Sequence, residues 1–85
     1  MNFSWPQYRI FKDGKRIIKV SNETFFEEYK VWGKYWEHYN FEVKQYNDAL
    51  LLHDILNREE LYQPISAETF EDKLKVFKQN YKQIN

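Results

Sequence analysis

Residues 8–20 read YRIFKDGKRIIKV, two β-prone runs around Asp13-Gly14. An Asp-Gly pair between such runs predicts a β-hairpin. A two-residue turn would pair Ile10 with Ile17 and Phe11 with Arg16, mixing apolar and basic side chains on both faces. A three-residue loop with Gly14 as a bulge would gather Tyr8, Ile10, Ile18 and Val20 on one face, with Arg16 alone out of place. Segregation of apolar from basic positions favours the bulge.

Residues 22–39 carry Phe25, Tyr29, Trp32, Trp36 and Tyr39 at 4-3-4-3 spacing, a stripe along one side of a helix. Thr24 and Glu27 match a capping box, with Asn22 as an alternative cap. Gly33 would stand inside this helix at a cost of about 1 kcal/mol relative to Ala, which suggests close packing beside the two tryptophans. Residues 40–46 alternate Phe41 and Val43 with Glu42 and Lys44 and predict a third strand. Asn47 and Asp48 then cap a helix beginning near Ala49 with Leu51, Leu52, Ile55 and Leu56, running on toward Leu61 and Tyr62 until Pro64 stops it. Ser66 opens a last helix carrying Phe70, Leu74, Phe77, Tyr81 and Ile84.

The expected architecture is one α+β domain over residues 1–85 in the order ββαβαα. An N-terminal β-hairpin and a third strand pack against two or three helices. No repeat, low-complexity tract or linker divides the chain.

Composition adds that the core is built from large rings. The chain has 85 residues and 20% aromatics: three Trp, seven Tyr and seven Phe. A domain this small buries only roughly 60% of the surface its unfolded chain exposes, so stability concentrates in side chains that each cover about 150–250 Å². There are no cysteines, which points to a reducing compartment and removes Cys-based metal sites. No basic segment followed by an apolar run opens the chain and no long apolar stretch follows, so the expectation is a cytoplasmic protein with no membrane partner.

The thirteen basic and thirteen acidic residues cancel, but unevenly. Residues 1–20 hold five Lys/Arg against one Asp, residues 21–63 four against nine acids, and residues 64–85 four against three. One end is basic and the middle is acidic.

Catalytic inventories fail early. The chain has no Cys nucleophile, no Ser in a nucleophile-elbow context, and only Gly14 and Gly33 from which to write a phosphate-cradling loop. His38 and His53 lack a second His at helical spacing, so no zinc pair forms. No enzyme activity, cofactor or metal is expected, and an enzyme would need His53 or His38 brought near Asp54, Glu59 or Glu60. The acidic group around Asp54, Glu59 and Glu60 reads first as a solvated face.

Two features point outward instead. The hairpin interleaves Arg9, Lys12, Lys15, Arg16 and Lys19 with Phe11 and Ile17, the mixture expected of a β-ribbon meeting nucleic acid, or of a sheet edge guarded by lysines. Phe26, Val31 and Tyr35 lie off the main stripe, so the chain carries more large apolar groups than one small core encloses. That surplus points to an interface, with another protein or in a homo-oligomer.

The expected function is a non-catalytic protein-binding module that occludes a macromolecular partner, with Arg9, Phe11, Lys15, Ile17, Lys19, Phe26 and Tyr35 as partner-binding residues. The alternative is a nucleic-acid-binding regulator using the basic hairpin. Richness in Lys, Asn, Tyr, Phe and Ile agrees with AT-rich coding sequence. With the short chain, it suggests a phage or bacterial inhibitor or regulator, the class that includes anti-defence and anti-CRISPR proteins.

Overall fold

The computed structural model describes residues 3–84. The elements run β1 (Gln7–Phe11), β2 (Arg16–Asn22), β3 (Phe25–Trp32), β4 (Tyr35–Glu42), α1 (Tyr46–Asn57), β5 (Tyr62–Pro64), α2 (Ala67–Asn80) and β6 (Lys82–Gln83). The strands form a single sheet in the order β5-β1-β2-β3-β4-β6. The α+β class holds, as do the N-terminal hairpin and the last helix, although that helix ends at Asn80 and leaves Tyr81 and Ile84 beyond it, on either side of β6.

The segment expected as a first helix is instead the hairpin β3–β4. Its register pairs Lys30 with Glu37, Tyr29 with His38 and Phe26 with Phe41. Each pair interacts: Lys30 Nζ lies 3.8 Å from Glu37 Oε2, the Tyr29 and His38 rings stack at 4.3 Å, and Phe26 and Phe41 stack at 4.8 Å. Cross-strand contacts of this kind stabilise a sheet, and aromatic residues fit its pleated surface better than a helix. Gly33 makes the reversal possible. Only Gly33 and Lys34 separate the paired Trp32 and Tyr35, and Gly33 has φ +57° while Lys34 does not enter positive φ. That is the pattern of a II′ hairpin turn, which takes glycine first. At the other end of β3, Asn22 Oδ1 accepts from the Thr24 backbone N–H at 2.9 Å and closes the β2–β3 turn.

The first hairpin also takes the register that segregation disfavoured. Ile10 pairs with Ile17 and Arg9 with Ile18, and residues 12–15 form the loop. Gly14 (φ +73°) donates its N–H to Phe11 O at 2.9 Å, and Asp13 Oδ1 accepts from Lys15 N–H at 2.8 Å. The reason is that this hairpin is covered on both faces, so apolar residues belong on both.

Ile18, Val20 and Phe26 pack with Leu52, Ile55 and Leu56 of α1 and with Tyr62. Ile17, Val31 and Trp36 pack on the opposite face with Phe70, Leu74 and Phe77 of α2. Ile17, Ile18 and Val20 are completely inaccessible, each contributing roughly 1.5–3 kcal/mol of burial.

Both helices are closed by polar contacts. Helix α1 starts at Tyr46, three residues before the expected position. Asp48 does not cap it from outside but reaches back to accept from the Gln45 and Lys44 N–H groups at 3.1 Å. It stops at Asn57, not near Tyr62, because Tyr62–Pro64 forms an edge strand beside β1, where a proline is tolerated. Ser66 Oγ accepts from Thr69 N–H at 3.0 Å and caps α2 as expected.

Arg9 is 4% exposed. Its Nη1 donates to Tyr8 O at 2.9 Å and Gln7 Oε1 at 3.0 Å, and its Nη2 to Leu56 O at 3.4 Å. Helix α1 has no basic residue in its last turn, so β1 supplies the cation that faces its terminal carbonyls. Burial lowers the Arg9 pKa, with Glu59 opposing the shift, and Arg9 Nε has no hydrogen-bond partner.

Gly33→Ala tests the hairpin by its sign. No atom lies within 4 Å of an added Cβ, so only the positive φ is penalised, by about 1–2 kcal/mol. Urea unfolding should show that loss. A gain near 1 kcal/mol is what an exposed helical glycine would give, and it would contradict the turn.

Candidate functional site

The helices cross opposite faces of the sheet, and α1 covers only part of its face. It lies over Ile18, Val20 and Phe26 and leaves the upper ends of β3 and β4 open. Strand alternation puts Arg16, Glu28, Lys30, Trp32, Tyr35, Glu37 and Tyr39 on this same side.

Glu37 organises the open face. Its Oε2 accepts from Trp32 Nε1–H at 2.7 Å and its Oε1 from the Tyr39 hydroxyl at 2.7 Å, while Lys30 Nζ lies over the Tyr39 ring at 5.4 Å. The Tyr39 and Trp32 hydrogen bonds, with Lys30 nearby, hold the Glu37 carboxyl below the usual carboxylate range. The same bond to Glu37 raises the Tyr39 phenol. At the tip, Trp32 remains 47% and Tyr35 37% exposed, with their rings 5.4 Å apart and tilted by 50°. Two large rings are thus held in place yet left uncovered.

Lysines remote in sequence surround this tip. Lys15 O accepts from Val31 N–H at 2.9 Å, which sets the β1–β2 loop beside the end of β3. Lys34 O accepts from Lys82 N–H at 2.9 Å, which sets β6 beside the turn. Lys78, near the end of α2, reaches within 5.6 Å of the Trp36 ring centroid. The opposite end of the sheet holds Glu23, Glu42 and Asp48 near the β2–β3 turn and the start of α1.

The residues expected to bind a partner do not form one surface. Arg9, Ile17 and Phe26 are 4%, 0% and 1% exposed, so these three hold the fold together and do not present themselves to a partner. The reason is that these three positions of β1–β3 lie beneath a helix, Arg9 and Phe26 under α1 and Ile17 under α2. Phe11 is half-buried against Tyr62 and under Arg16, whose guanidinium carbon lies 4.6 Å from its ring centroid. Lys15 is exposed in the loop, and Lys19 is half-buried on the α2 side. Cations of the basic hairpin thus divide between interior, loop and two faces. Tyr35 is the expected residue that sits in the exposed cluster, and Lys15 stands beside it. Trp32 and Lys34 were missed because they were read as helical. The signal for them was Gly-Lys flanked by aromatic residues on both sides.

The histidines lie apart. His38 Nε2 is 2.9 Å from Glu27 Oε1 on the α2 side of the sheet. His53 lines a cleft of about 200 Å³ with Phe3, Trp5, Glu23 and Leu52. Among the described residues no three His, Cys, Asp or Glu side chains converge as a metal site, and no helix is long and apolar enough to cross a membrane. Comparisons with protein families, curated proteins and solved structures found no match.

Two carboxyls on this face titrate in opposite senses. Burial raises Glu28, against the pull of Arg16 and Lys30. A carboxyl with a raised folded-state pKa removes stability as pH climbs through that value, whereas the lowered Glu37 loses its stabilising contribution as pH falls through its own. Glu28→Gln should therefore melt above the wild type near neutral pH, and Glu37→Gln below it. Both differences should shrink toward about pH 3. Thermal unfolding by circular dichroism across this range checks the signs, and differences independent of pH would refute the assignment.

Proposed function

We propose that this protein is a non-catalytic protein-binding module that docks a partner on the Trp32–Tyr35 end of its sheet and acts by occluding it. The observation that carries this reading is the exposure of Trp32 and Tyr35 at a tip whose neighbours are fixed by Glu37. Trp and Tyr supply much of the energy at protein interfaces, most effectively when little ordering remains to be done on binding. The rim of exposed lysines supplies polar contacts around that centre. An inhibitor or regulator of phage or bacterial origin agrees with the chain's composition.

Tagged protein should recover a stoichiometric protein from native lysate, and nuclease treatment should leave the recovery unchanged. Trp32→Ala and Tyr35→Ala should retain the wild-type circular dichroism spectrum. Combined, they should weaken binding by about thirtyfold or more, the effect of losing a hot spot worth about 2 kcal/mol. Full recovery by the folded double variant would exclude this end as the docking site.

A further inference from the structure

The charge around the exposed rings narrows the kind of partner, on the premise of the protein-binding reading above. Lys12 and Lys15 lie in the β1–β2 loop, Lys34 in the β3–β4 turn and Lys82 at the start of β6. All four are exposed, and among the described residues none forms an ion pair with a carboxylate. Lys30, in contrast, is matched by Glu37. Lys15, Lys34 and Lys82 thus bring positive charge from three separate chain segments beside two exposed rings, against the single exposed carboxylate of Asp13 in the β1–β2 loop, while Lys12 lies farther off beside Leu61. Such a cluster raises the free protein's self-repulsion and is relieved when opposite charge arrives.

We infer that the Trp32–Tyr35 tip receives an acidic protein surface, with an apolar group of the partner against the two rings and its carboxylates on Lys15, Lys34 and Lys82. A single-stranded nucleic acid would need rings free to stack on its bases. Here Trp32 and Tyr35 lean on each other, and Lys30 lies over Tyr39. A phosphate chain laid across the open face would also meet Glu28 and Glu37. An acidic protein surface places its carboxylates singly and leaves those positions clear.

The test is selection of a random dodecapeptide display library on the immobilised full-length protein, with counter-selection on Trp32→Ala. Trp32-dependent peptides are expected to be net acidic and to carry an apolar anchor. Their binding should weaken by about tenfold or more in the Lys34→Glu/Lys82→Glu double variant, and should fall as salt is raised. Both lysines are exposed, and a matched circular dichroism spectrum confirms that the variant folds. Trp32-dependent peptides of neutral or basic composition would overturn the acidic-partner inference and leave the protein-binding reading standing. Selection that yields no Trp32-dependent peptide would overturn both. A labelled twenty-residue oligothymidylate is measured in parallel at about 0.15 M salt. Trp32-dependent binding of this probe tighter than that of the selected peptides would reassign the tip to nucleic acid.

Discussion

The structure depends on a central strand that is buried on both sides. In β2, Ile17 faces α2 and Ile18 faces α1, and neither retains any solvent contact. A strand so placed cannot separate apolar from polar residues by face, and its neighbours must follow its register. That constraint selects the Ile10–Ile17 pairing of the first hairpin and puts apolar groups of β3 on both faces. It also requires two helices, one for each side, joined by the short edge strand β5.

Two helices of twelve and fourteen residues cannot cover a six-stranded sheet completely. Helix α1 follows the apolar positions of β2 and the base of β3, and the upper β3–β4 face stays open. Solvent there is met by a polar lattice around Glu37 that still carries Trp32 and Tyr35. The exposed rings are thus a consequence of how the core is covered. Their exposure at an uncovered end supports the proposed binding role, since large apolar groups on a surface stabilise a complex more than a monomer.

Arg9 shows the same economy in the interior. It was expected as a surface cation, but α1 ends above it without a basic residue in its last turn. The guanidinium fills that position from the neighbouring strand, bonded to the Leu56, Tyr8 and Gln7 oxygens. One residue thereby ties the sheet to the helix that covers it. A charge tally along the chain cannot separate such a residue from the exposed lysines.

Elements whose signals are local were legible along the chain. Asp13-Gly14 marked the first hairpin, Ser66 with the Phe70, Leu74 and Phe77 spacing marked α2, and Leu52, Ile55 and Leu56 marked the buried side of α1. Residues 25–42 were misread because large apolar residues stand on both faces of β3 and β4, which removes the strict alternation that identifies a strand, and the 4-3-4-3 spacing of their aromatic residues then imitates a helix. Only tertiary structure decided which faces were covered. It sent Arg9, Ile17 and Phe26 inside, left Trp32 and Tyr35 outside, and brought Lys15, Lys34 and Lys82 together. Those outcomes arise from contacts between distant segments, and the identity of neighbouring residues along the chain does not encode them.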